Sequence, residues 1–167
     1  MQDKLIRQEY IYIRKMPNSK RGFSEKTVRK KLEKQGWTLW RGGFLYATKT
    51  IDPYPNVLKK YTLLEELLNK HMPDTLEKLQ YTSRVNHGMP DFLAFKNKQF
   101  KFVECKLQYE QLSWRQKICI SKVQKLGFCV EIYRVVDART KVRESVLDVE
   151  TGEKKILVRQ EVLKKKN

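Results

Sequence analysis

Two apolar runs, Asp91–Phe95 and Phe100–Lys106, flank Lys96-Asn97-Lys98-Gln99, and that spacing leaves little choice but a β-hairpin. With a loop of two or four residues centred on Asn97-Lys98, Phe95 faces Phe100, Leu93 faces Phe102 and Asp91 faces Glu104. Directly opposed residues hold their Cβ atoms about 4.5–5.5 Å apart, and like charges placed so are destabilising. Two carboxylates in that position call for a cation. A divalent ion such as Mg²⁺ suits them, because it takes hard oxygen ligands and commonly only one or two carboxylates, leaving positions for water and phosphate.

Alternation along the second strand adds a third group. Phe100, Phe102, Glu104 and Lys106 share one face; the phenylalanines anchor it, so Glu104 and Lys106 emerge where packed surface meets solvent. Phosphodiester hydrolysis has a use for each. A bound metal lowers the pKa of its water and neutralises phosphate charge, and an ammonium orients that water or stabilises developing negative charge.

Charge supports the same direction. Thirty-six Lys and Arg against nineteen Asp and Glu leave +17, which makes a polyanion the natural partner, nucleic acid being the commonest. There is no apolar run long enough for a membrane span and no secretory leader pattern at the N-terminus. Cys105, Cys119 and Cys129 have no metal-binding spacing, which suits a reducing interior. An intracellular protein, cytoplasmic or at the nucleoid or nucleus, is expected.

Along the chain, residues 1–22 read as a basic arm with a short strand at Ile11–Ile13. Ser24 reads as the N-cap of a helix from Glu25 to Gln35, with Gly36 as its stop. Short strands are expected at Trp37–Trp40 and Phe44–Ala47, around Arg41-Gly42-Gly43. The segment 48–82 reads as a helical insertion, its second helix opened by Pro73-Asp74. After the hairpin, Ser113 caps a helix ending at Gly127, and Phe128–Val136 forms a buried strand. Residues 139–167 supply a C-terminal β-hairpin and a basic tail. The fold class is therefore α/β, a mixed sheet flanked by helices, with 23–138 as the main domain. Open edges on the terminal hairpin make a homodimer an expectation as well.

Gly88-Met89-Pro90-Asp91, followed by Glu104-Cys105-Lys106 at the end of an apolar strand, resembles the PD-(D/E)XK nuclease superfamily. The likeness is nearest to the virus-type replication-repair nuclease (VRR-NUC) domains and looser to the archaeal Holliday junction resolvases, over about 23–47 and 85–136. It implies a restriction-endonuclease-like sheet and a Mg²⁺ ion, with Mn²⁺ able to substitute, held by Asp91 and Glu104 while Lys106 assists the water. It also implies a glutamate on the first helix, matched by Glu25, as a further metal ligand, and a glutamine on the helix after the lysine, matched by Gln116. Glu25 shares a helical stripe with Val28 and Leu32, although a first-turn acid is favoured by the helix dipole without any metal. Glu65 and Glu66 on the inserted helix are rivals for that role, and Gln116 also reads as a plain polar helix position.

The resulting expectation is an Mg²⁺-dependent endonuclease acting on DNA, branched or flapped substrates included, in repair or recombination. The alternative is a nucleic-acid-binding module that keeps the fold without cutting. Two partial motifs are set aside. Glu153-Lys154-Lys155 sits at a polar turn, and Met72-Pro73-Asp74 reads as a helix start with no apolar strand after it.

Overall fold

The computed structural model describes residues 5–43, 54–138 and 142–160; the strand expected at Phe44–Ala47 lies outside them. In chain order the elements are β1 (Leu5–Ile13), α1 (Phe23–Lys34), β2 (Thr38–Arg41), α2 (Pro55–His71), α3 (Leu76–Val85), β3 (Phe92–Lys96), β4 (Gln99–Leu107), α4 (Trp114–Lys125), β5 (Cys129–Asp137), β6 (Val142–Asp148) and β7 (Lys154–Gln160). The described strands form one sheet in the order β2-β3-β4-β5-β1-β6-β7. β4, β5 and β1 run parallel, and the strands outside them are antiparallel. This mixed sheet with helices on both faces is the α/β arrangement expected for a restriction-endonuclease-like fold.

Side-chain alternation divides the core into two layers. On one face α1 sets Val28 and Leu32 against Phe92, Ala94, Val103, Cys105, Tyr133 and Val135. On the other, α2, α3 and α4 bring Leu64, Leu68, Leu79, Ile120 and Val123 against Leu93, Phe102, Val130 and Ile132. Phe102 meets Phe128 edge to face at 5.2 Å, a geometry favoured by the ring quadrupoles. The indole Nε1 of Trp40 donates to the Lys60 carbonyl at 2.8 Å and so ties α2 to the edge strand β2.

The β3–β4 hairpin closes on a two-residue turn. Asn97 and Lys98 both have positive φ (50° and 63°), as a turn that follows strand twist requires. The register pairs Phe95 with Phe100 and Leu93 with Phe102, as the spacing predicts, but the ladder ends at Phe92–Val103. Asp91 therefore stands just outside it.

Three local readings change. The short strand expected at Ile11–Ile13 begins at Leu5 and lies inside the sheet, paired to β5 along Arg7–Ile13 and to β6 along Leu5–Arg7. Its Arg7 and Glu9 neutralise each other at 2.8 Å. The cap of α1 is Gly22, at φ 67°, and Ser24 is buried and bonded to Glu25 instead. Helix α3 starts after Thr75, whose hydroxyl donates to the Met72 carbonyl at 2.6 Å, while Asp74 holds a positive φ of 62°. The terminal hairpin β6–β7 continues the main sheet through β1.

Candidate active site

The site forms at the C-terminal end of β4, where β3 has already left the sheet. Donors alternate along an antiparallel strand, so the amide of Cys105 has the parity of those at Lys101 and Val103 and points toward β3. With the ladder finished, the carboxylate of Asp91 takes that donor, Oδ2 accepting from Cys105 N at 2.8 Å. A side chain does here what the neighbouring backbone does elsewhere, and Asp91 is thereby held against the residue that follows Glu104.

Two glycines make the approach possible. Gly42 donates its amide to the Asp91 carbonyl at 3.0 Å, and a Cβ there would lie 2.1 Å from the Pro90 carbonyl oxygen. At Gly88 a Cβ would meet the Arg115 backbone at 2.7 Å, so the loop bearing Asp91 lies directly on the first turn of α4. Gly42→Ala is expected to cost about 1–3 kcal/mol, the range for overpacking. It should also slow any reaction depending on Asp91 by about 10²-fold, the penalty for a displacement of about an ångström. Denaturant melts and initial rates check this, with Gly43→Ala as the contrast, since nothing lies within 4 Å of a Cβ at Gly43.

Glu104 and Lys106 project from the same face of β4, and both are buried. Glu104 Oε1 accepts from Lys106 Nζ at 3.0 Å and from Gln116 Nε2. Gln116 is held in turn by a capping box. Its Oε1 accepts from Ser113 N at 2.9 Å and from Lys106 Nζ at 3.0 Å, while Ser113 Oγ accepts from Gln116 N. The third position of a capped helix is fixed by the cap itself, so α4 delivers its glutamine to the pair as a rigid bracket. The link from β4 to α4 is also braced, with Arg134 Nη1 donating to the carbonyls of Gln108 and Glu110 at 2.7 Å each.

The other oxygen of this carboxylate, Glu104 Oε2, is buried with no hydrogen-bond partner. An orphaned carboxylate oxygen in the interior is costly. The electrostatics reflect it: burial first, then the charge of Asp91, push the Glu104 carboxyl up to about 7, against the pull of Lys106 and the Asp91 amide. Asp91 is raised too, chiefly by burial and also by the charge of Glu25, with the Cys105 amide and Lys106 opposing. A divalent cation would satisfy the free oxygen and both charges together, so the donor set fits Mg²⁺. Among the described residues, no three His, Cys, Asp or Glu side chains are gathered closely enough to hold a metal by themselves.

Glu25 comes from the other side. Its helix packs on the opposite face of the sheet from Glu104, and its charge is felt at Asp91 and Cys105. The sheet thus brings Asp91, Glu104, Lys106 and Gln116 into direct contact or charge coupling, with Glu25 outside the hydrogen-bonded group. Glu65 lines a separate cleft between α2 and α3 with Asp74 and Glu77, and Glu66 is exposed. Gly42 is the contributor that sequence reasoning passed over; its only signal was the Gly-Gly pair.

A mixed sheet with a carboxylate, a second carboxylate and a lysine gathered where two strands part is the arrangement of a PD-(D/E)XK-type nuclease. The family model for the VRR-NUC domain matches residues 20–137, and the chain belongs to that family. Membership implies nuclease activity and a nucleic-acid substrate. No curated protein matches the chain. Among the described residues, no helix is long and apolar enough to cross a membrane.

Proposed function

We propose that the protein is a divalent-metal-dependent endonuclease that hydrolyses phosphodiester bonds in DNA, with Mg²⁺ as its ion and Mn²⁺ as a substitute. The observation that carries this reading is the Glu104 carboxylate, one oxygen bracketed by Lys106 and Gln116 and the other buried without a partner beside Asp91. A bound ion would supply an activated water and charge neutralisation at the phosphate. Asp91 and Glu104 are the residues to hold it, with Glu25 contributing from the α1 side directly or through water. Lys106 favours the ionised form of Glu104 against its burial, and its ammonium would act on the attacking water or the phosphate. Gln116 fixes the positions of both.

Preference for branched or flapped DNA, as in repair or recombination, has support in the surface beside the site. Trp114, two residues before Gln116, is 67% exposed, with the Arg115 guanidinium 5.7 Å from its ring. An open indole with an adjacent cation suits stacking on an unpaired base. A homodimer belongs to this proposal as a second expectation, to be read from the mass in solution.

The test incubates the protein with single-stranded, duplex, flapped and four-way DNA in Mg²⁺, Mn²⁺ or EDTA, beside Asp91→Asn. Cutting is expected only with metal and fastest where nucleotides are unpaired, and Asp91→Asn should bind without cutting. An Asp91→Asn protein that cuts like the parent would show the site assignment to be wrong. Equal binding in EDTA and Mg²⁺ with no cutting in either would leave a non-catalytic binding module.

A further inference from the structure

Three cations from three elements meet at the outer edge of the sheet, beside Asp91 but apart from the carboxylate–lysine cluster. Arg29 of α1 lies over the ring of Phe92, its Cζ 5.0 Å from the centroid. Arg41 of β2 is the direct cross-strand partner of Phe92. It shares its face with Leu39, which packs in the α1 layer, so Arg41 comes to the face of the sheet that carries Phe92 and Arg29. Lys60 belongs to the turn of α2 that Trp40 ties to the edge strand. Its neighbour Tyr61 feels the charges of both Arg41 and Arg29.

Both Arg41 and Lys60 are exposed. Among the described residues, the acid that bears on Lys60 is Glu33, one turn beyond Arg29 on α1. Although Lys60 is exposed, partial desolvation by its neighbours and the Arg29 charge hold its ammonium below its ordinary pKa, against the pull of Glu33. Like charges gathered at one edge of the sheet repel one another, and at Lys60 the pull of Glu33 offsets only part of that repulsion. An anion with several oxygens relieves that repulsion.

We infer that Arg29, Arg41 and Lys60 form a phosphate track for the nucleic-acid backbone, gripping the strand next to the bond presented to Asp91 and Glu104. Phe92 makes the connection, since it carries Arg29 on its ring, pairs with Arg41 and follows Asp91 in the chain. Backbone phosphates set the register of a substrate without reading its sequence, and guanidinium groups are the donors best shaped for them. The inference rests on the nuclease reading for its account of what the grip is for, but not for its measurement.

The experiment measures duplex DNA binding in EDTA across a range of salt concentrations. Arg41→Gln/Lys60→Gln is compared with Lys34→Gln/Lys98→Gln, which removes one charge from the C-terminal end of α1 and one from the β3–β4 turn beside it. Each phosphate contact contributes about 0.9 to the slope of log K against log salt. The first double variant should therefore flatten the slope by about 1.8, and the second should leave it near the parent value. Both positions in the first variant are exposed, and a thermal melt equal to the parent's checks that the fold is kept. A parental slope in Arg41→Gln/Lys60→Gln, or equal flattening in the two variants, would overturn the track. Uncut duplex in EDTA reads the grip whatever Asp91→Asn does to cleavage, so failure of one reading is distinguishable from failure of the other.

Discussion

Glu104→Gln is expected to abolish metal-dependent cutting while making the metal-free protein more stable above neutral pH. The amide has the shape of the carboxylate and keeps one oxygen for Lys106 and Gln116, but it brings no charge to the ion. Loss of a ligand that anchors the metal should cost at least about 10³-fold in rate, equivalent to roughly 4 kcal/mol. The stability gain follows from linkage. Glu104 has a folded-state pKa raised from 4.5 to about 7, so between those values the folded chain binds the proton more tightly than the unfolded chain. Stability is then greatest at the acid side, falls as pH rises through the window, and stays low above it. For this nearly inaccessible carboxyl the loss is on the order of 3 kcal/mol, shared with Asp91 because the two titrate as a pair. Gln has no such window. Melts in EDTA should show Glu104→Gln equal to the parent near pH 4 and well above it at pH 8. Adding Mg²⁺ should raise the parent selectively. A parent whose stability in EDTA rises between pH 5 and pH 8 relative to Glu104→Gln would refute the repulsion on which the metal assignment depends.

Much of this arrangement was legible in the chain because strand alternation and helix caps are local rules. The pairing of Phe95 with Phe100 and Leu93 with Phe102, the shared face of Glu104 and Lys106, and the capping role of Ser113 all follow from residues within a few positions of one another. What escaped was non-local. β1 alternates Ile6 and Gln8 with Arg7 and Glu9, a pattern that reads as solvated until the sheet puts Ile6 in one core layer and lets Arg7 and Glu9 neutralise each other. Asp91 was expected to face Glu104 across a ladder, whereas it leaves the ladder and caps an amide of β4. That position became available only through Gly42, whose missing side chain admits the Pro90 carbonyl. Glu25 sits on its helix stripe as the spacing suggests, yet nothing in the chain tells that the stripe belongs to the opposite face from Glu104. Just ahead of Phe92, where β3 begins, Asp91 is coupled both to Glu25 and to Glu104, which is why the chemistry collects there.

Lys106→Met should have the second large effect, and its cause separates two roles that the lysine combines. Removing one partner of a buried pair is ordinarily worth 3–5 kcal/mol of destabilisation, because a charge is left unpaired, as a rough guide. Here the stranded group is a carboxyl already close to half-protonated near neutrality, so it can discharge by keeping its proton. Folding should therefore suffer less than that range implies, and the Glu104 carboxyl should move further up. Metal binding needs the ionised form, so the affinity of Lys106→Met for Mn²⁺ at pH 7 should drop and recover as pH rises. Gln116 stays bonded to Ser113 and to Glu104, so the bracket survives the substitution. If Lys106 only held Glu104 ionised, cutting would recover at high pH together with the metal. If its ammonium also acts on the attacking water or the phosphate, binding recovers and cutting does not. The second outcome is expected, because Lys106 Nζ lies on the same side of β4 as the oxygen that has no partner. Metal titration followed by calorimetry at pH 7 and pH 9, beside cleavage rates at the same pH values, decides between them. Unchanged metal affinity at pH 7 would mean that Lys106 does not govern the charge on Glu104 at all.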